Sequence, residues 1–235
     1  TNLGTSWEFW EKISAGRPEF GNPKVFDGNI DQSFWESFTV TCNKDNKFLD
    51  MMEKFSGNTA GTGALVTLKD SSWLMSVVIA YQPHFLNQPE DVTVFWGYGL
   101  FPDRKGDYIK KKMTECTGKE ILTELLCHLK FHDYVSEMKK TSNCIPCILP
   151  FITSQFMPRK ISDRPRVRPV GYKNLAFVGQ FVEIPEGVVF TVEYSVRTAM
   201  TAVYDFLSID KEIPAYFKGD KDIKVLFDSF VTMHK

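Results

Sequence analysis

Between Lys173 and Leu207 the chain changes its hydrophobic period, and that change constrains the fold more than any other feature. KNLAFV (173–178) is a short continuous apolar run, the kind found in a strand buried on both faces. It ends at Gly179-Gln180, passes through the loop FVEIPEGVVF and enters a helix near Thr191. In that helix Val192, Val196, Ala199, Met200, Val203, Phe206 and Leu207 recur with a period near 3.6, while Glu193, Arg197, Thr201 and Asp205 lie opposite. The expected unit is strand, loop, helix, with the helix start beside the carboxyl end of the strand. In open α/β sheets ligands bind at such a corner. The free N–H groups of the first helical turn favour an anionic or carbonyl-bearing ligand. Many α/β proteins contain the same corner as plain packing.

The middle of the chain reads as sheet. SFTVTC near 37–42, WLMSVVIAY (73–81) and VTVFWGYGL (92–100) are rich in β-branched and aromatic residues, and Pro83 and Pro89 mark the loop between the last two. Val92, Val94, Trp96, Tyr98 and Leu100 share one face of the third run; Gly97 and Gly99 share the other. Two glycines on one face imply close approach by a packed neighbour or a ligand, packing being the commoner reason. NKFLDMMEKF reads as a short helix, and GNTAGTGALVTL as a turn entering a strand. A capping box, Thr117-Gly118-Lys119-Glu120, opens a helix through ILTELLCHL. There His128 sits at the edge of the apolar face, one turn after Glu124, as a hydrogen-bonded residue or a ligand. The segment DIKVLFDSFVTMHK places Ile223, Leu226, Phe227, Phe230 and Met233 on one side of a helix. It is expected to dock on the body of the protein, with an interfacial membrane helix as the alternative.

Composition sets the outer limits. The 235 residues carry 28 Lys and Arg against 29 Asp and Glu, a net charge of -1, and this balance argues against a nucleic-acid partner. The 20 Phe fit either a bulky core or a lipid-lined cavity. No apolar stretch reaches the roughly 18 residues of a spanning helix, and TNLGTSWEFW lacks the pattern of a signal peptide. Five unevenly spaced cysteines argue against a disulfide framework and for a reducing, cytoplasmic compartment. Cys144 and Cys147 form C-x-x-C without the partners that redox or zinc chemistry requires. The phosphate-loop, zincin and hydrolase-elbow motifs are absent. The G-x-G Gly61-Thr62-Gly63 lacks the spacing of a dinucleotide loop and reads as a turn.

Several long strings carry a family resemblance. FGNPKVFDGNIDQSFWESFTVT, GTGALVTLKDSSWLMSVVIAYQPHFLNQPEDVTVFWGYGLFPDRKGDYIKK, CTGKEILTELLCHL, PFITSQFMPRKISDRPRVRP and NLAFVGQFVEIPEGVVFTVEYSVRTAMTAVYDFL together resemble the oleate hydratases, also called myosin-cross-reactive antigens. The resemblance covers nearly the whole chain. Members of that family are longer, and the part that carries their dinucleotide loop and the Glu and Tyr assigned to acid–base work has no counterpart here. Catalytic residues are therefore unassigned and expected upstream.

The resemblance implies an FAD-dependent hydro-lyase that adds water to a cis double bond of oleate or linoleate, cytoplasmic and homodimeric, with peripheral membrane contact as a further option. The implied class is α/β in an α+β mixture. Residues 1–150 would be a β-rich part of a substrate domain, 151–210 the C-terminal part of a Rossmann-like FAD-binding domain, and 211–235 a helical segment. The implied cofactor contacts are Gly179, Gln180, Val189, Phe190 and Thr191, where Gly179 admits the flavin, Gln180 bonds its ribityl chain and the helix N–H groups face its C2 carbonyl edge. The implied substrate contacts are His84, Trp96, Gln155 and Phe156. Gln82 offers a polar group beside them, and Arg159 either meets a carboxylate or pairs with Asp163. A lipid-acting flavin oxidoreductase or isomerase, and a non-catalytic lipid-binding fragment, are the competing readings.

Overall fold

The computed structural model describes residues 6–234 except 44–45, 63–64, 186, 188 and 190. The helices are α1 (Ser6–Ser14), α2 (Lys24–Asp27), α3 (Phe48–Ser56), α4 (Gly118–His128), α5 (Val135–Thr141), α6 (Val192–Phe206) and α7 (Ile223–Met233). The strands are β1 (Trp35–Asn43), β2 (Leu65–Thr67), β3 (Met75–Val78), β4 (Val92–Gly99) and β5 (Ser142–Leu149). The class is mixed α and β, and the chain divides into two compact units. One runs from Asn29 to Ser154; the other joins the residues up to Gly28 with those from Gln155 onward.

The first unit is an antiparallel sheet in the order β2-β3-β4-β1-β5. Strict alternation along β1 sends Glu36, Phe38, Val40 and Cys42 inward. Phe38, Val40 and Cys42 meet Phe48 and Met52 of α3, Ile121, Leu122 and Leu125 of α4, and Met138 of α5 in one core. The two glycines of β4 face this core. A Cβ on Gly97 would lie 2.4 Å from the Phe38 ring and 2.6 Å from the Ser76 carbonyl oxygen, and one on Gly99 would lie 2.6 Å from the Met113 sulfur. Close packing is thus the reason for both glycines. The capping box of α4 forms in both directions: the Thr117 hydroxyl accepts from Glu120 N–H, and the Glu120 carboxylate accepts from Thr117 N–H at 2.8 Å.

The run 73–81 pairs only over Met75–Val78. Leu74, at φ +47, turns the chain into the strand. Strand β5 has no clear sequence signal, because Pro146 interrupts it; an edge position tolerates a residue with no N–H to give. Its register aligns Cys144 with Val40 and Cys147 with Ser37, so the C-x-x-C thiols leave opposite faces of the sheet.

The second unit has an aromatic core. Trp10 of α1 donates its indole N–H to the Phe20 carbonyl and packs on Phe26 (5.5 Å between ring centres) and Phe181 (5.3 Å). Val167, Val182 and Ala202 form a smaller apolar cluster with Phe177 and Ile184 around it. Over 173–178 the expected buried strand does not form. Phe177 N–H reaches the Val167 carbonyl at 2.8 Å, and one isolated Arg166–Glu183 bridge is the nearest sheet-type pairing among the described residues. An apolar run specifies burial, but a strand also requires a partner for its ladder, and none of the described residues supplies one.

Helix α6 begins after Thr191, as the period implies, yet it is turned the other way. Its buried residues are Tyr194, Arg197, Thr198 and Ala202, whereas Val192 is 80% exposed, Val196 51% and Leu207 68%. Polar hooks on the opposite side explain the orientation. The Tyr194 hydroxyl accepts from Ile184 N–H and donates to the Val182 carbonyl. Arg197 binds Glu193 at 2.7 Å and stacks on the Tyr216 ring at 3.7 Å. Helix α7 likewise buries none of its residues, contrary to the expected docking. None of the helices among the described residues is long and apolar enough to cross a membrane.

Candidate functional site

The corner anticipated from the sequence is built as a turn leaning on α6. Gly179 adopts φ +113, and a Cβ there would meet only the Phe181 ring, at 3.7 Å. This backbone conformation is one that side-chain-bearing residues rarely adopt, and the contact with Phe181 is no closer than ordinary van der Waals packing. The Gly179 N–H donates to Thr198 Oγ1 at 2.8 Å, which fixes the turn against the second turn of the helix. Thr191 caps α6, its hydroxyl accepting from Tyr194 N–H at 3.2 Å, and Val189 just before it is half-buried. Phe190 lies outside the described residues.

Gln180 is half-buried, and its carbonyl oxygen accepts from Nη1 of Arg164. The other arm of the same guanidinium, Nη2, donates to the Gln155 carbonyl at 2.8 Å. Arg164 is buried and lies 4.8 Å over the Phe26 ring. Burial pushes its pKa down to about 10, so it stays charged at neutral pH. The next residue along, Phe156, is 51% exposed. Arg159 does not pair with Asp163: its Nη1 pairs with Glu183 Oε2 at 2.6 Å, while Asp163 accepts from Lys160 N–H.

His84 and Trp96 belong to the sheet unit. His84 is exposed and sits on a loop held by two glutamines. Gln82 donates to the Ala80 and Val94 carbonyls and accepts from Val94 N–H at 3.0 Å, so its amide is spent on backbone. Gln88 donates to Gln82 Oε1 and to the Val92 carbonyl, and accepts from the N–H groups of His84 (2.8 Å) and Phe85 (3.3 Å). The loop so braced presents Phe85, 56% exposed, and Leu86, 99% exposed. With Thr39, Thr41, Val92 and Val94 these two line an open depression of about 430 Å³ on the face of the sheet away from the core. Trp96 is half-buried on that same face, beside Tyr98 at 5.9 Å.

One further cluster gathers ionisable groups. His128 Nε2 lies 3.1 Å from Asp107 Oδ2 and 3.3 Å from Glu124 Oε1. The three ligand atoms are close enough for a metal ion. However, the fully buried Glu124 carboxylate already accepts from the N–H groups of Asp107, Tyr108 and Ile109. Asp107 accepts from both the N–H and the hydroxyl of Ser72. Burial alone would raise the Asp107 pKa, but the Ser72 hydrogen bonds and His128 hold it below its ordinary value. The arrangement staples the 105–112 loop to α4.

Comparison with known proteins decides the family: the MCRA family model matches residues 1–204. The chain belongs to the MCRA family. It is 41% identical over 239 residues to an oleate hydratase of Streptococcus pyogenes serotype M49 (strain NZ131), covering 97% of this chain and 40% of that protein. It is 33% identical over 246 residues to a linoleate hydratase of Lactiplantibacillus plantarum, covering 96% of this chain and 42% of that protein. The chain thus spans about two fifths of the length of these curated relatives.

In this MCRA chain, Gly179 is tied to Thr198 of α6, Thr191 caps the same helix, and Arg164 ties Gln180 to Gln155. His84 and Trp96 lie in one compact unit, Gln155 and Phe156 in the other. The residue that the pattern-based reading missed is Arg164. The string PRKISDRPRVRP holds five Arg and Lys, and nothing in local spacing distinguishes the one that is buried.

Proposed function

We propose that the chain is the C-terminal portion of a fatty acid hydratase, a flavin-dependent hydro-lyase that adds water to a cis double bond of oleate or linoleate. The observation that carries this reading is the Gly179–Gln180 turn, with Gly179 at positive φ, set beside an α6 whose apolar stripe is uncovered. Burying Val192, Val196, Val203 and Leu207 would contribute several kcal/mol, at roughly 1.5–3 kcal/mol for each side chain fully buried. A surface of that kind calls for a covering domain. The family membership supports the flavin-binding part of a longer hydratase as the cover, with 151–210 completing that domain and 1–150 forming part of a substrate domain.

The residues at the turn fit a flavin. Gly179 admits a flat ring close to the backbone, the Gln180 side chain reaches the ribityl chain, and Val189 and Thr191, with Phe190 between them in the sequence, are the contacts assigned to the ring. When bound, FAD supplies an organising, electrostatic element to a reaction with no net redox change. Hydration needs a proton delivered to one alkene carbon and a base-activated water at the other, in a pocket dry enough for an acyl chain. In this reading His84 and Trp96 of one unit, and Gln155 and Phe156 of the other, are each substrate contacts, and the proton-transfer groups come from chain outside these residues. The complete protein is a cytoplasmic homodimer, and α7, with Ile223, Leu226 and Phe227 uncovered, is its element for peripheral contact with a membrane.

The test is the complete protein incubated with oleate in ¹⁸O-labelled water without an electron donor. The expected product is a hydroxy fatty acid carrying one ¹⁸O per molecule, formed by a yellow preparation. A desaturated, isomerised or untouched fatty acid contradicts the assignment. The 235-residue segment alone is expected neither to retain FAD nor to hydrate oleate.

A further inference from the structure

We propose that Arg164 is a positioning residue that sets the Gly179–Gln180 turn for the flavin and couples that turn to the Gln155–Phe156 segment. The inference rests on the flavin reading above and goes beyond it by naming a residue that touches neither ligand.

A guanidinium taken out of water loses hydration that a hydrophobic side chain of similar size would never have needed. Arg164 is 3% exposed, and no carboxylate among the described residues lies within ion-pair distance of it. Its Nε is buried and finds no hydrogen-bond partner among them. Filling space between Phe26 and the turn does not require a cation, since a Met or Leu would do so at lower cost. What only the planar fork supplies is a pair of donors that reach two carbonyls at once. Those carbonyls belong to Gln180, at the flavin turn, and to Gln155, in the segment assigned to substrate. The two residues are 25 positions apart in the sequence, and the guanidinium joins them in one step.

Two consequences follow for a flavin seated on the turn. With the Gln180 carbonyl drawn back toward Arg164, the peptide plane is fixed, so the Gln180 side chain and the Gly179 backbone present one geometry to the ligand. The positive charge buried behind the turn favours electron density on the ligand in front of it, and hence the reduced over the oxidised flavin. Burial lowers the Arg164 pKa, but only to about 10, so this charge persists through the physiological range.

The experiment uses the complete protein in wild-type form and as Arg164→Gln, Arg164→Lys and, as a control, Arg168→Gln at a half-exposed pair with Asp205. Three quantities are read: the FAD dissociation constant from flavin fluorescence, the midpoint potential of bound FAD, and the thermal midpoint of the apoprotein. Arg164→Gln is expected to weaken FAD binding about tenfold, the scale of one charge-assisted hydrogen bond, and to move the potential to more negative values. Arg164→Lys keeps the charge without the fork, so it should lose affinity several-fold while holding the potential; Arg168→Gln should change neither. A lowered thermal midpoint in Arg164→Gln with wild-type FAD affinity and potential would mean that Arg164 only fills the core, and would overturn the proposal. Should that variant not fold, Arg164→Lys decides, and wild-type affinity in it overturns the proposal equally. Wild-type protein that binds no FAD would instead remove the flavin reading itself.

Discussion

Replacing Gln88 with alanine should loosen the 82–89 loop without unfolding the sheet beneath it. The Gln88 amide donates to Gln82 Oε1 at 2.9 Å and to the Val92 carbonyl at 2.6 Å, and accepts from His84 and Phe85 N–H. A neutral hydrogen bond contributes about 0.5–1.5 kcal/mol net, so four of them bound the effect at about 2–6 kcal/mol. Gln88 is half-buried and His84 exposed, so water replaces part of what is lost. An effect of about 1–2 kcal/mol is the reasonable expectation, a 5- to 30-fold increase in the open population of the loop. Native-state hydrogen exchange reads this directly: amides of His84 and Phe85 should exchange faster by that factor, while Phe38 and Val40 in β1 keep wild-type rates. If His84 lines the substrate pocket, the same variant raises KM for the fatty acid more than it lowers kcat. Unchanged exchange at His84 and Phe85 would refute the clamp, whatever happened to activity.

Other consequences can be checked on stability. Glu124→Gln replaces one carboxylate oxygen with an NH2 group facing N–H donors, and should destabilise the protein by about 2–4 kcal/mol in denaturant titration; a loss under about 0.5 kcal/mol would show that the staple is incidental. Glu36 is buried on the core side of β1 with one carboxylate oxygen unpartnered, and burial pushes its pKa up to about 7. A carboxyl whose folded pKa lies above its ordinary value binds a proton more tightly in the folded state. Its contribution is therefore full at acid pH and is lost as pH rises through about 7. Glu36→Gln should accordingly gain roughly 1–3 kcal/mol on wild type between pH 5 and pH 8. Parallel stability profiles for the two proteins would rule out the raised pKa.

How much of this was legible in the sequence depended on whether the determinant was local. The α4 cap is a contact between neighbours in sequence, and it forms as the Thr117–Glu120 spacing implies. The alternation along β4 placed Gly97 and Gly99 on one face, and the structure puts that face against Phe38 and Met113. Strand β5 escaped notice because Pro146 erases the local preference while the edge position forgives it. Helix α6 was found but its orientation was not: the apolar stripe marks the face that gains most from cover, whereas Tyr194, Arg197 and Thr198 hold the opposite face within this chain. The 173–178 run failed as a strand because strands are made by partners. Of the candidate site residues, Gly179 is tied to Thr198 in the second turn of α6 and Thr191 caps the start of the same helix. Gln82 proved to be a brace rather than a ligand contact, and Arg164 was invisible because burial is a tertiary property.

The most direct measurement is hydrogen exchange on the complete apoprotein with and without FAD. FAD is expected to slow exchange at residues 177–182 and 189–196, the turn and the first helical turn of α6, by at least tenfold. Protection confined to other segments, with these two unchanged, would contradict it.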